Sequence, residues 1–443
     1  MGSPSVSGVL VLSENPPKLP GTPKFQNPDP PGPRADLDNH RNSGLDRSGS
    51  ALLERQGLLE ALVALVAVAL FGRTVGFGWV YDDQMEIVLN SFVHSIRNLP
   101  LIFSNKDWAG SGMETYLYRP LTLVSYAANH LVSGLSPWSY HLANVLLYAG
   151  ISVMVVRVGR RWGLSTLAAG SAGLIFAVHP VHVEVVAAVF GRKDLLVAFF
   201  TLAMVLLHPL AVARGGWRAL LPILAYACAM LSKEVGVVGV ALVAGQDWLF
   251  SRDRSQLARD GRRARLFVGY VATLLAYVLI RNAVTGGVGI PETFYMDNPL
   301  VAVSLWVRLS TAVAVIGKGL ALQAVPLSLS PDYSFNAIPL VRSVFDLRFL
   351  GALALLAAAG WGLWRSRHST PALDAEGDPA PVVFRMASVW YAVTVIPTAN
   401  LLVTVGTIFG ERLLFLASVA VCLMAGLGLD RLLQGLSLIH ISE

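Results

Sequence analysis

Apolar residues are gathered along this chain in runs of up to about 20, separated by short polar turns and by two long loops rich in aromatic and charged side chains. A helix needs about 20 mostly apolar residues to cross a bilayer. Runs near 56–74, 139–158, 164–178, 194–213, 217–231, 235–250, 265–284, 347–364, 383–403 and 412–429 predict an all-α polytopic membrane protein of about ten spans. Two places decide the parity. Residues 217–231 and 235–250 flank Ser232-Lys233-Glu234. As one long helix they would move the arginine-rich segment that follows to the opposite face, so they read as two short spans. The stretch 300–326 is apolar but holds Arg308 and Lys318. It reads as a re-entrant or interface-lying helix within one long loop, about 285–346.

Composition agrees with this pattern. Hydrophobic residues make up 54% and charged residues 14%, with a mean hydropathy of +0.58, which excludes a soluble globule. The net charge of +6 is no nucleic-acid footprint, because the basic residues sit in short turns between spans. Arg157, Arg160 and Arg161 follow the second span, and Arg214 and Arg218 the fourth. Six arginines against two aspartates fill 251–265, and Arg365, Arg367 and His368 follow the run ending near Trp364. The positive-inside rule places all of these, and the N-terminus, in the cytoplasm. Residues 1–55, rich in Pro, Gly, Ser and Asn, lack the basic start and apolar core of a cleavable signal and read as a disordered cytoplasmic tail. The membrane domain is expected over 56–432, followed by an atypical tail, 433–443. Cys228 and Cys422 lie inside apolar runs and read as buried thiols.

On this map one face collects the chemistry. Asp82-Asp83 stand just beyond the first span, where carboxylates are costly near lipid without water, partners or a task. A helix cap or a hydrated turn would account for them equally well. His179-Pro180-Val181-His182-Val183-Glu184 closes the third span, and Gly191-Arg192-Lys193-Asp194 opens the fourth. For the histidines a polar turn is the plainer reading; a divalent metal site is conceivable, but an HxxH spacing without a further placed ligand is weak evidence for one. Lys233-Glu234, Arg119-Pro120 and Gly410-Glu411-Arg412 add cations suited to a lipid phosphate, although a snorkelling ion pair explains Lys233-Glu234 as simply. No glycine-rich nucleotide loop is present. The arrangement fits displacement at an activated sugar carried on a lipid phosphate. A carboxylate would take the acceptor proton, and fixed cations would neutralise the leaving phosphate. A lipid-linked-sugar flippase or a non-catalytic glycolipid-binding scaffold is the alternative.

Taken in order, Tyr81-Asp82-Asp83, Tyr118-Arg119-Pro120-Leu121-Thr122, Tyr140-His141-Leu142-Ala143-Asn144, the His179–Glu184 motif, Gly191-Arg192-Lys193-Asp194-Leu195, Ser232-Lys233-Glu234-Val235-Gly236, Ser330-Pro331-Asp332-Tyr333-Ser334 and Gly410-Glu411-Arg412-Leu413-Leu414-Phe415 resemble the transmembrane O-mannosyltransferases that carry tetratricopeptide repeats. The resemblance covers about 60–430. It implies a GT-C-type membrane glycosyltransferase with long first and fourth extracytoplasmic loops. Such an enzyme would move mannose, with inversion, from a dolichyl or polyprenyl phosphate to Ser or Thr hydroxyls of a protein acceptor, using no cofactor. It further implies Asp82 or Asp83 as base. Arg119, His179, His182, Glu184, Arg192, Lys193, Lys233, Glu234, Glu411 and Arg412 would lie on the donor side, and Asp332 and Tyr333 towards the acceptor. The implied location is the endoplasmic reticulum membrane in a eukaryote or the inner membrane in a prokaryote, with the site extracytoplasmic. Relatives continue into another span and an array of repeats, so the 433–443 tail reads as a truncation.

Overall fold

The structure is a computed structural model that describes Gly2 and residues 56–441 except 252, 258, 288–294, 331, 335 and 368–377, with side chains as far as Gln434. The tail expected over 1–55 lies, but for Gly2, outside the described residues, as does His368. All regular structure among the described residues is helical. The first span is α1 (Gln56–Gly76). A long loop follows with α2 (Leu99–Ser104) and α3 (Pro120–Ser133), then come α4 (Trp138–Arg161), α5 (Thr166–Val178), α6 (Val183–Ala187) and α7 (Arg192–Arg214). Next are α8 (Leu220–Ser232), α9 (Gly239–Phe250), the short α10 (Arg254–Leu257) and α11 (Gly261–Thr285). The chain closes with α12 (Leu305–Ala324), α13 (Leu347–Ser366), α14 (Ala380–Val395) and α15 (Phe415–Ile441).

The helices form a bundle with a basic end and a loop-covered end. At the basic end Glu60 accepts from Arg157 at 2.7 Å, Ser165 donates to Asp430 at 2.8 Å, and Trp162 donates to Gln246 at 3.0 Å. These bonds bring together one end each of α1, α4, α5, α9 and α15. The centre is a seam of small residues on α5. A Cβ at Gly426 of α15 would meet the Ala168 carbonyl at 2.3 Å, and one at Gly173 would meet Val156 of α4 at 2.3 Å. Lipid offers helices no hydrophobic drive to associate, so close backbone approach through small residues supplies the dispersion energy instead. Pro180 ends α5, since it lacks the N–H the next turn would need. His179 Nδ1 accepts from Val181 N–H at 3.3 Å, and α5 and α6 meet with a bend of 50°.

Among the described residues eight helices are long and apolar enough to cross a membrane, and the bent α5–α6 pair, counted as one span, makes a ninth. The number does not settle the topology, because length is a poor guide in two places. α8 and α9 are only 13 and 12 residues long, yet they form a hairpin. Gly236 packs against the Ala229 carbonyl at the turn, and Phe250 returns to stack on Trp162 at the basic end. Conversely, α12 qualifies by length, yet its contacts at both ends are with residues of the loop-covered half. Trp306 near its start packs on Phe349 at the start of α13, Gly317 abuts Ala352, and Gln323 near its end bonds Tyr391 and His179. Both ends of α12 therefore lie in the loop-covered half of the bundle. With α12 set aside and the short hairpin included, ten passes remain among the described residues, as the charge parity requires.

Candidate active site

The chain leaves α1 through Phe77–Val80 and reaches Tyr81, whose φ of 47° is in the left-handed region. A bulky residue is held there only when its surroundings enforce it, and such strain gathers at functional positions. The turn sends the two neighbouring carboxylates in different directions. Asp83 is fully buried. Its Oδ1 accepts from Phe190 N–H at 2.6 Å and its Oδ2 from Val80 N–H at 3.0 Å. Burial outweighs these bonds and pushes its pKa up to about 6. Asp82 is half-buried and lines a cavity of about 1000 Å³. Its carboxylate has no hydrogen bond or ion pair among the described residues.

The cavity lies between the end of α1, α6, the 329–334 loop and the turn that opens α15. Arg412 brings its guanidinium to Glu184 Oε1, while its backbone N–H donates to Glu184 Oε2 at 2.9 Å. One carboxylate thus fixes both the start of α15 and the aim of the arginine. Glu411 accepts from Ser330 N–H at 2.7 Å and from Tyr333 OH at 2.8 Å. Lys318 of α12 stands 5.1 Å over the Tyr333 ring. Asp332, also on the cavity wall, accepts from Ser334 Oγ at 2.7 Å and from its N–H at 2.8 Å, which hold its carboxyl below the usual range. Asp82, Glu184, Asp332, Glu411 and Arg412 are therefore brought to one cavity, with Tyr333 behind Glu411.

The remaining candidates go elsewhere. Arg119 makes a bidentate pair with Glu234 at 3.0–3.2 Å and reaches Asp107 at 3.7 Å. Lys193 pairs with Glu86, and Lys233 with Asp194 at 2.5 Å. Arg192, only 2% exposed, donates to Asn144, Ser125, Asn129 and the Tyr140 carbonyl. These groups clamp the first loop and α3 onto α7 and the α8–α9 turn. Burial alone would lower the Arg119 pKa, but Glu234 and Asp107 hold it above the ordinary value. Asp107 is raised by burial and by the Glu86 charge. His182 bonds Tyr148 at 2.9 Å and Ser418 at 2.8 Å inside the aromatic core, and His179 reaches the Gln323 carbonyl at 2.9 Å. Both histidines pack the α5–α6 bend against α12 and α15. Among the described residues no three His, Cys, Asp or Glu side chains are grouped to hold a metal ion.

Glu86, Asp107 and Asp194 of the clamp, and Asp297 and Lys318 beside the cavity, were not among the residues expected at the site, although Asp194 and Lys318 stand in the motif and the apolar stretch read above. The usable signal was a balance of charge. Three cations assigned to the loop-covered end needed buried acids nearby, and these lay in the same segments.

The family model for the TMTC protein O-mannosyl-transferases, DUF1736, matches residues 288–360, the region that carries α12. Mouse protein O-mannosyl-transferase TMTC3 is 29% identical over 84% of this chain and 42% of its own length. Human TMTC4 is 31% identical over 84% of this chain and 55% of its own length, and fruit-fly Tmtc1 is 27% identical over 83% and 51%. The chain thus spans about half the length of the curated relatives it matches. No solved structure matches it. The multi-pass bundle, the α12 region and this run of relatives agree, and the chain belongs to the TMTC family of protein O-mannosyl-transferases.

Proposed function

We propose that this protein transfers mannose from a polyprenyl or dolichyl phosphate to a Ser or Thr hydroxyl of a protein, in the cavity beside Asp82, on the extracytoplasmic face of the endoplasmic reticulum membrane. The observation that supports this most directly is a carboxylate with no hydrogen bond or ion pair among the described residues, on the wall of a cavity that also holds a fixed arginine. The family name supplies the sugar and the protein acceptor. Asp82 accepts the acceptor hydroxyl proton as the oxygen bonds to the anomeric carbon, and the bond from that carbon to the carrier phosphate breaks, inverting the centre. Arg412, which offers more N–H donors than Glu184 can occupy, takes the charge that grows on the departing phosphate. Asp83 acts at one remove by locking the turn to α7.

The test is transfer of radiolabelled mannose from synthetic polyprenyl-phosphate mannose to a protein acceptor by purified protein in detergent. Wild type should transfer and Asp82→Asn should not. Equal turnover in the two would remove Asp82 from the role, and donor binding without any transfer would favour a glycolipid-binding scaffold.

A further inference from the structure

The basic end carries a second cavity that the transfer reaction does not use. It measures about 340 Å³, in the lower range of ligand-sized pockets, and lies between α4, α7, α9 and α11. Its charged lining is Arg161, Arg263 and Asp247. Asp247 is already engaged by His208 at 3.0 Å and lies 3.2 Å from Arg263 Nε. That Nε is buried without a hydrogen bond. Gln246 is engaged by Trp162, which donates to its Oε1, and by the Val205 carbonyl, which accepts from its Nε2. Arg161 is exposed, with no hydrogen bond or ion pair among the described residues. Arg263 is shared between Asp247 and Asp260, so the cavity keeps one cation without a partner among the described residues, Arg161, and unused N–H donors on both arginines.

A second observation places it in depth. Four exposed tryptophans ring the same end, each beneath an arginine: Trp217 under Arg218, Trp248 under Arg254, Trp361 under Arg365 and Trp364 under Arg367, at 4.8–5.4 Å. Tryptophan collects at headgroup depth, where its ring is apolar and its N–H is wet. Trp248 directly follows Asp247, so the belt passes the cavity mouth. Basic pockets between helices at this level take anionic lipid headgroups. We infer that the cavity binds the phosphate of an anionic phospholipid, with Arg161 and Arg263 as its ligands.

Native mass spectrometry of the full chain, purified with phosphatidylserine or with phosphatidylcholine, tests this. Wild type should retain phosphatidylserine in preference to phosphatidylcholine, and R161Q/R263Q should lose about tenfold or more of that occupancy, given about 1 kcal/mol for each arginine. R218Q, in the belt but outside the cavity, should keep it. Because Arg263 also pairs with Asp247 and Asp260, R161Q alone serves as the variant that disturbs no bond, and it should lose part of the occupancy. Unchanged retention in R161Q and in the double variant would overturn the site. Equal retention of both lipids would do the same. Stabilisation by inorganic phosphate that phosphatidylserine fails to exceed would replace the lipid with a free anion and also overturn it.

Discussion

Asp82 and Asp83 are neighbours in sequence with opposite surroundings. An amide at 82 keeps the shape of the cavity wall but cannot accept a proton, so Asp82→Asn should abolish transfer and leave the melting temperature unchanged. An amide at 83 turns one of two acceptors into a donor facing a backbone N–H, a loss of about 1–3 kcal/mol. Asp83→Asn should therefore show itself first as a lower melting temperature. The pH dependence separates them further. Burial raises the Asp83 pKa from 3.8 to about 6, so the folded chain binds this proton before the unfolded chain does. Its contribution to stability is then largest at low pH and is lost as pH rises through about 4 to 6, by at most about 3 kcal/mol. The melting deficit of Asp83→Asn against wild type should widen between pH 7 and pH 5, and a constant deficit would remove the buried carboxylate as its cause. The sequence showed that an acidic pair stood at the mouth of a span. It could not show the divergence, which depends on a positive φ at Tyr81 that no local pattern demanded.

Among the elements, the first loop was legible as long and aromatic, but what holds it was not. Arg119, Lys193 and Lys233 were expected to face a lipid phosphate, and the structure engages each with an acid from another segment. Such pairing joins residues more than 100 positions apart in two of the three cases, beyond the reach of periodicity or spacing. Removing one partner of a buried pair leaves a bare charge and costs about 3–5 kcal/mol, whereas replacing both with apolar residues costs far less. Glu234→Leu should therefore expose the loop between α1 and α3 to limited proteolysis, and Arg119→Met with Glu234→Leu should restore much of the protection. Equal sensitivity in the single and double variants would mean that the pair does not clamp the loop.

For the whole molecule, hydrophobic runs conveyed the all-α polytopic class and most of the helices, because the bilayer admits few arrangements of a helical chain. Apolarity alone would have misplaced α12. The parity of the arginines argues for a re-entrant α12, and the contacts at its two ends fit that reading. In a Cys228→Ala, Cys422→Ala background, single cysteines at 305 and 327 should both react with a membrane-impermeant thiol reagent from the outside, and cysteines at 161 and 263 should not. Labelling of 305 and 327 from opposite faces would make α12 a span and reverse the sidedness of every helix after it.

The small-residue seam of α5 bears on how this chain tolerates change. Ala168, Gly173 and Gly426 hold no charge, do not line the cavity beside Asp82 and would be passed over in a search for chemistry. Yet α5 runs into the bend that carries Glu184, and Arg412 lies in the turn that opens α15, so the spacing of these two backbones sets where the carboxylate meets the arginine. An inherited Gly→Ser or Gly→Val change along the seam would act as a wedge, displacing one half of the site from the other while every reacting group remained chemically intact. Loss of activity in such variants would be a defect of alignment, and a map of harmful substitutions would trace α5 as firmly as it traces Asp82.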